Sequence, residues 1–296
     1  WQRRRSVANP QPTKEPAMRL GSLCTGIAGL ELGLQMAGIE TEPIFVSDID
    51  KGANQWLAAN MPDVPNLGDF TALDELPEVD IITAGFPCQP VSATGRRAGI
   101  NDERWLFDDI TRLTSRMESR PVLFLENVPG LLTANGGDAM ARVVYGLASI
   151  GYHITWGTLP AAAVGAPHRR NRWWGLAYPA DTESDELDQR TRPSPSKPPR
   201  IRGNRPRDDI RETHARFGKW APAIAQWETT LGRPAPDPIH NGRLNPALVE
   251  HMMGYPKGYV TDTLTRRSQA LHALGNAVVP QCAAQAFTQL TQRNQQ

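Results

Sequence analysis

Cysteine is scarce in this chain of 296 residues, which contains only Cys24, Cys88 and Cys282. Because these three lie far apart, the sequence predicts no disulfide framework and is typical of a reducing compartment such as the cytoplasm. None of them has a partner at the spacing of a zinc site, so we predict no bound metal. Apolar runs are also short, since none approaches the roughly eighteen residues of a membrane helix, and we expect no membrane contact.

An excess of one charge sign is absent too, because the formal net charge is +1. The overall charge therefore gives no indication of a nucleic-acid partner. The first seventeen residues lack the apolar core of a secretory signal and contain Arg3, Arg4 and Arg5 with three prolines. Since Met18 directly precedes the first predicted strand, we interpret 1–17 as a disordered or non-native leader. A basic arm that contacts DNA is the alternative.

The chain divides into two regions of different composition. Short apolar strands at 43–47, 79–84 and 121–125 and a helix at about 137–150 predict βαβ units and a parallel sheet. From about residue 178 the pattern changes: residues 189–220 contain ten lysines or arginines against three acids, and nine prolines lie between 189 and 242. We expect a catalytic domain over 18–177 plus 262–294, and a second, smaller domain over 178–261.

The most informative segment is Gly85-Phe86-Pro87-Cys88-Gln89-Pro90, directly after the predicted strand 79–84. A cysteine on a rigid turn at the carboxyl end of a parallel strand lies where open α/β sheets place their chemistry. Cys88 is therefore a candidate nucleophile. From these six residues alone, a buried structural cysteine is an equal alternative.

The flanking residues Ser92, Gly95, Arg96, Arg97 and Gly99 make this segment resemble the catalytic loop of the cytosine-C5 DNA methyltransferases. Four further motifs resemble those of the same family in the same order: Ser22 to Leu30, Glu126-Asn127-Val128, Arg170-Asn171-Arg172 and Gly275 to Pro280. The resemblance implies a Rossmann-like S-adenosylmethionine-dependent methyltransferase sheet with a target-recognition domain at 178–261. It also implies a monomer that methylates double-stranded DNA in a bacterial or phage-infected cell, with a cognate restriction endonuclease possible as a separate protein.

A methyl-donor site is predicted at the turn between strand Leu20–Leu23 and a helix that begins near Leu30, where small residues let the backbone approach a ligand. Ala28 stands where glycine is common, so we expect a negative φ there. The resemblance assigns the cofactor site to Leu23, Cys24, Gly26, Ala28, Gly29, Asp48, Ile49, Asp69, Phe70, Pro87, Asn276 and Val278.

Within that set, the resemblance gives Asp48 the ribose hydroxyls, Ile49 the adenine face and Asp69 the adenine amino group. Asp50 is interpreted as the N-cap of a helix at Ala53–Asn60, and Cys24 as a small pocket filler rather than a redox group.

For catalysis the resemblance assigns Cys88, Glu126, Arg170 and Arg172. A thiolate at Cys88 adds to cytosine C6, and Glu126, with a pKa raised by burial, hydrogen-bonds N3. If 170–172 is a strand, Arg170 and Arg172 share a face. We then expect Arg170 to reach the base and lower the pKa of Cys88, with Arg172 orienting groups or binding phosphate. His168 is interpreted as structural, and Trp173-Trp174 indicates a buried flank.

Because C6 is inaccessible in a stacked duplex, the mechanism requires base flipping. Gln89, Ser92, Arg96 and Arg97 are the candidate DNA contacts. A disordered basic linker at 189–208 is the alternative to a recognition surface there. The rival functions are a tRNA cytosine-C5 methyltransferase, whose Cys-Phe-Thr element has no counterpart in the cysteine-free 178–261, and a non-catalytic DNA-binding protein of the same fold.

Overall fold

The computed structural model describes residues 16–87, 105–181 and 215–294, which fold around one large sheet. Its six strands are β1 (Met18–Leu23), β2 (Thr41–Ser47), β3 (Ile81–Gly85), β4 (Val122–Asn127), β5 (Tyr152–Pro160) and β6 (Asn171–Pro179). The α-helices in the described ranges are α1 (Gly29–Met36), α2 (Lys51–Asn60), α3 (Phe107–Thr114), α4 (Asp138–Ser149), α5 (Ala221–Leu231), α6 (Pro246–Met252), α7 (Arg267–Asn276) and α8 (Pro280–Arg293). A two-stranded hairpin, β7 (Ile239–His240) with β8 (Arg243–Leu244), lies between α5 and α6.

The strand order is β2-β1-β3-β4-β6-β5. The first four strands are parallel, whereas β6 runs antiparallel to both β4 and β5. The sheet is therefore mostly parallel, as predicted for an α/β fold. The carboxyl ends of β1, β2, β3 and β4 all meet at one edge, and the register pairs Gly85 with Glu126 there.

Both faces of the sheet are covered, which explains why its strands are almost continuously apolar. Adjacent residues of a strand point to opposite faces, so Trp174 joins the core beneath α1 and α8 while Trp173 joins the core beneath α3 and α4. Both tryptophans are buried, which confirms the predicted burial of this flank. Gly33 lets α1 and α8 approach closely, since a Cβ on it would lie 2.4 Å from Ala283 Cβ.

The observed elements differ from the predicted ones by one or two residues at their ends. β2 begins at Thr41 rather than 43, β3 spans Ile81–Gly85 rather than 79–84, and β4 continues past the predicted end at 125 to Asn127. Helix α2 begins at Lys51, two residues before the predicted start. Its N-cap is Asp50, as predicted, because the carboxylate accepts hydrogen bonds from the Gly52 and Ala53 amides.

The described part of the predicted recognition domain, residues 215–261, packs on the same core as the sheet. Trp227 of α5 is fully buried in that core, and its indole N–H donates to the His251 carbonyl at 2.8 Å. A small separate cluster of Ile224, Ala235 and Leu248 lies beside it. The leader and the basic segment 189–208 lie outside the described residues, so the division into two domains stays a prediction.

Candidate active site

A cavity of about 680 Å³ opens at the carboxyl edge of β1, β2, β3 and β4. Its walls bring together residues from both ends of the chain, as expected for an open α/β sheet whose ligand lies beyond the strand ends. The predicted site residues that line it are Cys24, Gly26, Gly29, Asp48, Ile49, Asp69, Phe70, Pro87, Glu126, Arg172, Asn276 and Val278. The predicted cofactor and catalytic residues therefore border one continuous space.

The other predicted site residues have different positions. Leu23 and Ala28 are buried in the core behind the cavity, and Arg170 is not among the lining residues. Cys88, Gln89, Ser92, Arg96 and Arg97 lie outside the described residues.

The loop from β1 to α1 is held tightly against the end of β2. The Gly26 amide donates to Asp48 Oδ2 at 2.7 Å, and the Thr25 amide donates to the Ser47 carbonyl. Ala28 has a φ of 53°, so the expected negative φ is wrong. Ala28 is the N-cap of α1, where the loop turns into the helix, and its carbonyl accepts from the Leu32 amide at 3.1 Å. A left-handed alanine costs about 1–2 kcal/mol, so the surrounding contacts must hold this conformation.

Cys24 lies in the same loop and is half-buried in the cavity wall. Burial, followed by the charges of Asp48 and Asp69, raises the pKa of its thiol to about 12. The thiol is therefore neutral near pH 7, as suits a small wall residue and not a reactive one.

The end of β2 places a carboxylate next to an exposed apolar side chain. Asp48 Oδ1 accepts from the Asp50 amide at 2.8 Å, and burial raises the pKa of the Asp48 carboxyl despite its backbone hydrogen bonds. Ile49, which follows it, is 71% exposed and lines the cavity. On the neighbouring wall Asp69 Oδ1 accepts from the Thr71 amide, while the Phe70 ring is buried.

The far wall comes from the end of α7 and the segment that follows it, which contribute Asn276 and Val278. The guanidinium of Arg170 donates to the Gly275 carbonyl at 2.7 Å and also to the Ala277 carbonyl. Arg170 thus holds this wall from behind instead of reaching into the cavity. Burial lowers the pKa of its guanidinium to about 10, which keeps it charged at neutral pH.

Arg172, and not Arg170, lines the cavity beside Glu126. Its Nε lies 2.8 Å from Glu126 Oε1. The expected alternation of the two arginines on one strand is wrong, because β6 begins at Asn171 and Arg170 precedes it with a φ of 25°. His168 sits apart, with Nε2 3.0 Å from the Met252 carbonyl.

Glu126 is almost fully buried at the end of β4. Burial raises the pKa of its carboxyl, and this effect outweighs the opposing charges of Arg172 and Arg170. A raised pKa favours the protonated carboxyl, which can donate a hydrogen bond.

Asn127 is a residue that the sequence analysis quoted in a motif without giving it a role. Its Nδ2 donates to the Phe86 carbonyl at 3.3 Å, and its Oδ1 accepts from the Val128 amide at 2.8 Å. The Phe86 ring packs against Trp105 and Phe107. Together these contacts fix the Phe86-Pro87 turn that directly precedes Cys88.

Within the described ranges, no group of histidine, cysteine and acidic side chains could hold a metal ion. Among the helices of these same ranges, none is long and apolar enough to cross a membrane.

Solved structures with the same architecture show the fold. The Dnmt2 methyltransferase of S. pombe superposes with a TM-score of 0.60 over 93% of this chain and 99% of its own, at 18% identity. The Entamoeba histolytica methyltransferase EhMeth gives a TM-score of 0.62 over 95% of this chain and 100% of its own, at 17% identity.

Relatives found by sequence are more identical to this chain than these solved structures, but the aligned region covers a smaller share of both chains. The Type II methyltransferase M2.BsuMI of Bacillus subtilis is 38% identical over 159 residues, which are 52% of this chain and 40% of the relative. M.MspI of Moraxella sp is 34% identical over 160 residues, or 53% of this chain and 37% of the relative. The chain therefore spans less than half the length of these relatives. The model of the C-5 cytosine-specific DNA methylase family matches residues 18–230, well over half of the chain, and the chain belongs to that family.

Proposed function

We propose that this protein transfers a methyl group from S-adenosylmethionine to C5 of cytosine in a short, specific sequence of double-stranded DNA. The observation that carries the proposal is the single cavity that borders both the predicted cofactor residues and the Glu126–Arg172 pair. A methyl donor and a target base could therefore bind next to each other in the same cavity. The family to which the chain belongs supports the same reaction.

The residues present fit S-adenosylmethionine. A volume of about 680 Å³ lies in the range of drug-sized ligand sites, roughly 300–1,000 Å³. Asp48 would accept from the ribose hydroxyls, and Ile49 offers an exposed apolar face for the adenine. Gly26 has no protein atom within 4 Å of where its Cβ would lie, so the backbone leaves room for the ligand there. When bound, the cofactor supplies an electrophilic methyl group.

The protein must raise the electron density at cytosine C5. We assign this to Cys88, whose thiolate adds to C6 and so makes C5 nucleophilic. Glu126, protonated, donates to N3 and stabilises the charge that develops in the ring. Arg172 holds the Glu126 carboxyl in place through its 2.8 Å contact. After transfer the C5 proton leaves, and the electrons of the C5–H bond expel the Cys88 thiolate, which restores the enzyme.

The target cytosine must leave the duplex to reach this buried site, at a cost of a few kcal/mol. Glu126 lies inside the cavity wall and is inaccessible to a stacked base. Gln89, Ser92, Arg96 and Arg97 are our candidates for the groups that hold the flipped nucleotide and its phosphates. The basic segment 189–220 is our candidate for sequence recognition.

The relatives that match are named Type II methyltransferases. We therefore propose a role in restriction–modification or in the protection of phage DNA, as a monomer in the cytoplasm of a bacterial or infected cell. A cognate endonuclease would be a separate protein.

Expression in a host without cytosine methylation, followed by bisulfite sequencing, tests the proposal. We expect protected cytosines in one short recurring context for the natural sequence and none for Cys88→Ala. Cys282→Ala is the matched control, because it removes the same atoms from the core and should leave protection in place. Absence of protection in all three, with purified protein still binding S-adenosylmethionine, would favour an RNA substrate or a non-catalytic role.

A further inference from the structure

The hydroxyl group of Tyr255 lies behind the cavity, between Gly29 on one side and Val278 on the other. It donates to the Val278 carbonyl at 3.0 Å, and the whole side chain is buried. On its other side is Gly29, where an added Cβ would lie only 2.3 Å from the hydroxyl oxygen. Gly29 and Val278 both line the cavity, so one oxygen atom contacts the loop after β1 and the C-terminal wall.

Neighbouring groups hold the Tyr255 ring in one position. It stacks on Tyr259 with ring centroids 5.0 Å apart, and Tyr259 packs on Trp56 at 4.9 Å. The Trp56 indole donates to the Tyr259 carbonyl at 2.6 Å. Arg233, just after α5, donates to the Tyr255 carbonyl. The ring therefore cannot turn away without breaking contacts on several elements.

The segment around Tyr259 is fixed by a buried carboxylate. Glu250 of α6 accepts hydrogen bonds from the amides of Gly258, Val260 and Thr261, at 2.7 to 2.9 Å. Charge-assisted bonds of this kind are stronger than neutral ones. The support behind Tyr255 thus comes from α6 and from other residues of the described part of the predicted recognition domain, to which Tyr255 itself belongs.

We propose that Tyr255 is a positioning residue for the cofactor. The Tyr255 hydroxyl sets the spacing between Gly29, at the start of α1, and the Val278 wall. This inference rests on the proposed use of S-adenosylmethionine. Burial keeps the pKa of this hydroxyl well above its ordinary value, so it remains a neutral donor at working pH. A cavity wall that is already fixed in its bound conformation lowers the entropic cost of binding the ligand.

Tyr255→Phe keeps the ring stack and removes only the hydroxyl. The Val278 carbonyl then loses its donor, and we expect affinity for S-adenosylhomocysteine to fall roughly three- to ten-fold, as for the loss of one neutral hydrogen bond. Because the wall contacts the cofactor equally before and during the reaction, KM for S-adenosylmethionine should rise by a similar factor with kcat unchanged.

Tyr259→Phe is the matched control. It makes the same chemical change one ring away in the same stack, and it leaves the hydrogen bond from Tyr255 to the Val278 carbonyl in place. We expect its affinity and KM to equal those of the natural sequence. Equal losses in both variants would indicate general loosening of the stack and would overturn the inference.

Calorimetric titration with S-adenosylhomocysteine, with thermal unfolding of each protein, separates the outcomes. If the natural sequence does not bind, the proposed cofactor is wrong. If it binds and Tyr255→Phe binds equally well, or loses kcat with KM unchanged, the positioning role is wrong.

Gly29→Ala gives an independent readout, because its new Cβ needs the room that the Tyr255 hydroxyl occupies. We expect this substitution to weaken binding less in the Tyr255→Phe background than in the natural one. Additive losses would contradict contact between the two groups.

Discussion

At the scale of single residues, two opposing effects set the pKa of the Glu126 carboxyl. Burial at the end of β4 favours its neutral form, whereas the Arg172 guanidinium at 2.8 Å favours the carboxylate. The net effect raises the pKa of Glu126, so the group can be protonated well above the range of an exposed glutamate. The proposed mechanism requires that protonated state, because Glu126 would donate to cytosine N3.

The pH dependence of the reaction should report this proton. Activity that needs protonated Glu126 is fully present below its raised pKa and is lost as the pH rises through that value. Glu126→Gln offers an N–H that does not titrate, so we expect a rate lower by about 10²–10⁴-fold and no alkaline decline from this group. The measurement is kcat/KM against pH for both proteins. An unchanged alkaline decline in the variant would assign it to another group.

Short sequence motifs could predict which residues belong to the candidate site, but they could not predict which residues these would contact in the folded chain. Glu126 and Pro87 were predicted for this site from short motifs, and both line the cavity. That Arg172 and not Arg170 lines the cavity depends on where β6 begins and on a positive φ just before it, which the sequence does not specify. The Tyr255–Val278 hydrogen bond likewise joins segments that only the folded chain brings together.

At the scale of elements, the loop between β1 and α1 contains three residues with a positive φ, which are Cys24, Gly26 and Ala28. Cys24 and Ala28 carry a Cβ, so the conformation strains the backbone at these two positions. Such conformations persist only where surrounding contacts enforce them, and here Asp48 and Ser47 of the β2 end accept the loop's amides. The strain is consistent with a loop shaped to bring its backbone close to a ligand.

Comparing Gly26→Ala with a control distinguishes an effect of backbone strain on stability from an effect of the new side chain on ligand affinity. Its Cβ would meet no protein atom within 4 Å, but the φ of 59° makes alanine cost about 1–2 kcal/mol of unfolding free energy. Gly136→Ala is the control, with a φ of 70°, equally open space and a position outside the cavity lining. We expect similar losses of stability by chemical denaturation. Only Gly26→Ala should also weaken S-adenosylhomocysteine binding, and equal affinities would contradict a ligand at this loop.

Elements themselves were largely predictable, and their spatial order was not. Apolar, β-branched runs located β2, β3 and β4 to within two residues, because β3 and β4 are buried on both faces and β2 is buried over its last three residues. The placement of β6 between β4 and β5, antiparallel to both, is a matter of tertiary pairing that no local pattern records. That placement delivers Arg172 to Glu126.

At the scale of the whole molecule, the described end of the predicted recognition domain is joined to the sheet by a shared core. Trp227, Tyr255 and Val260 lie in the same buried cluster as Phe124 of β4 and Phe287 of α8. Composition changes near residue 178, since charge and proline content shift there, and the domain boundary at that point stays a prediction. Composition could not show that apolar residues after the basic stretch pack back on the first core.

This shared core should make the described parts of the chain unfold as one unit. Trp227→Ala empties a fully buried site and removes a hydrogen bond to the His251 carbonyl, so we expect a loss of about 3–5 kcal/mol in unfolding free energy. For a chain of this size, the midpoint should fall by roughly 10 °C.

Differential scanning calorimetry of the full chain is the measurement, and Trp220→Ala is the control, because that side chain is 62% exposed and should shift the midpoint little. We expect a single heat-absorption peak that moves as a whole in Trp227→Ala. Two peaks, of which only one moves, would mean that α5 and its surroundings unfold independently of the sheet. Coupling between the recognition region and the cofactor wall through Tyr255 would then require a route other than the common core.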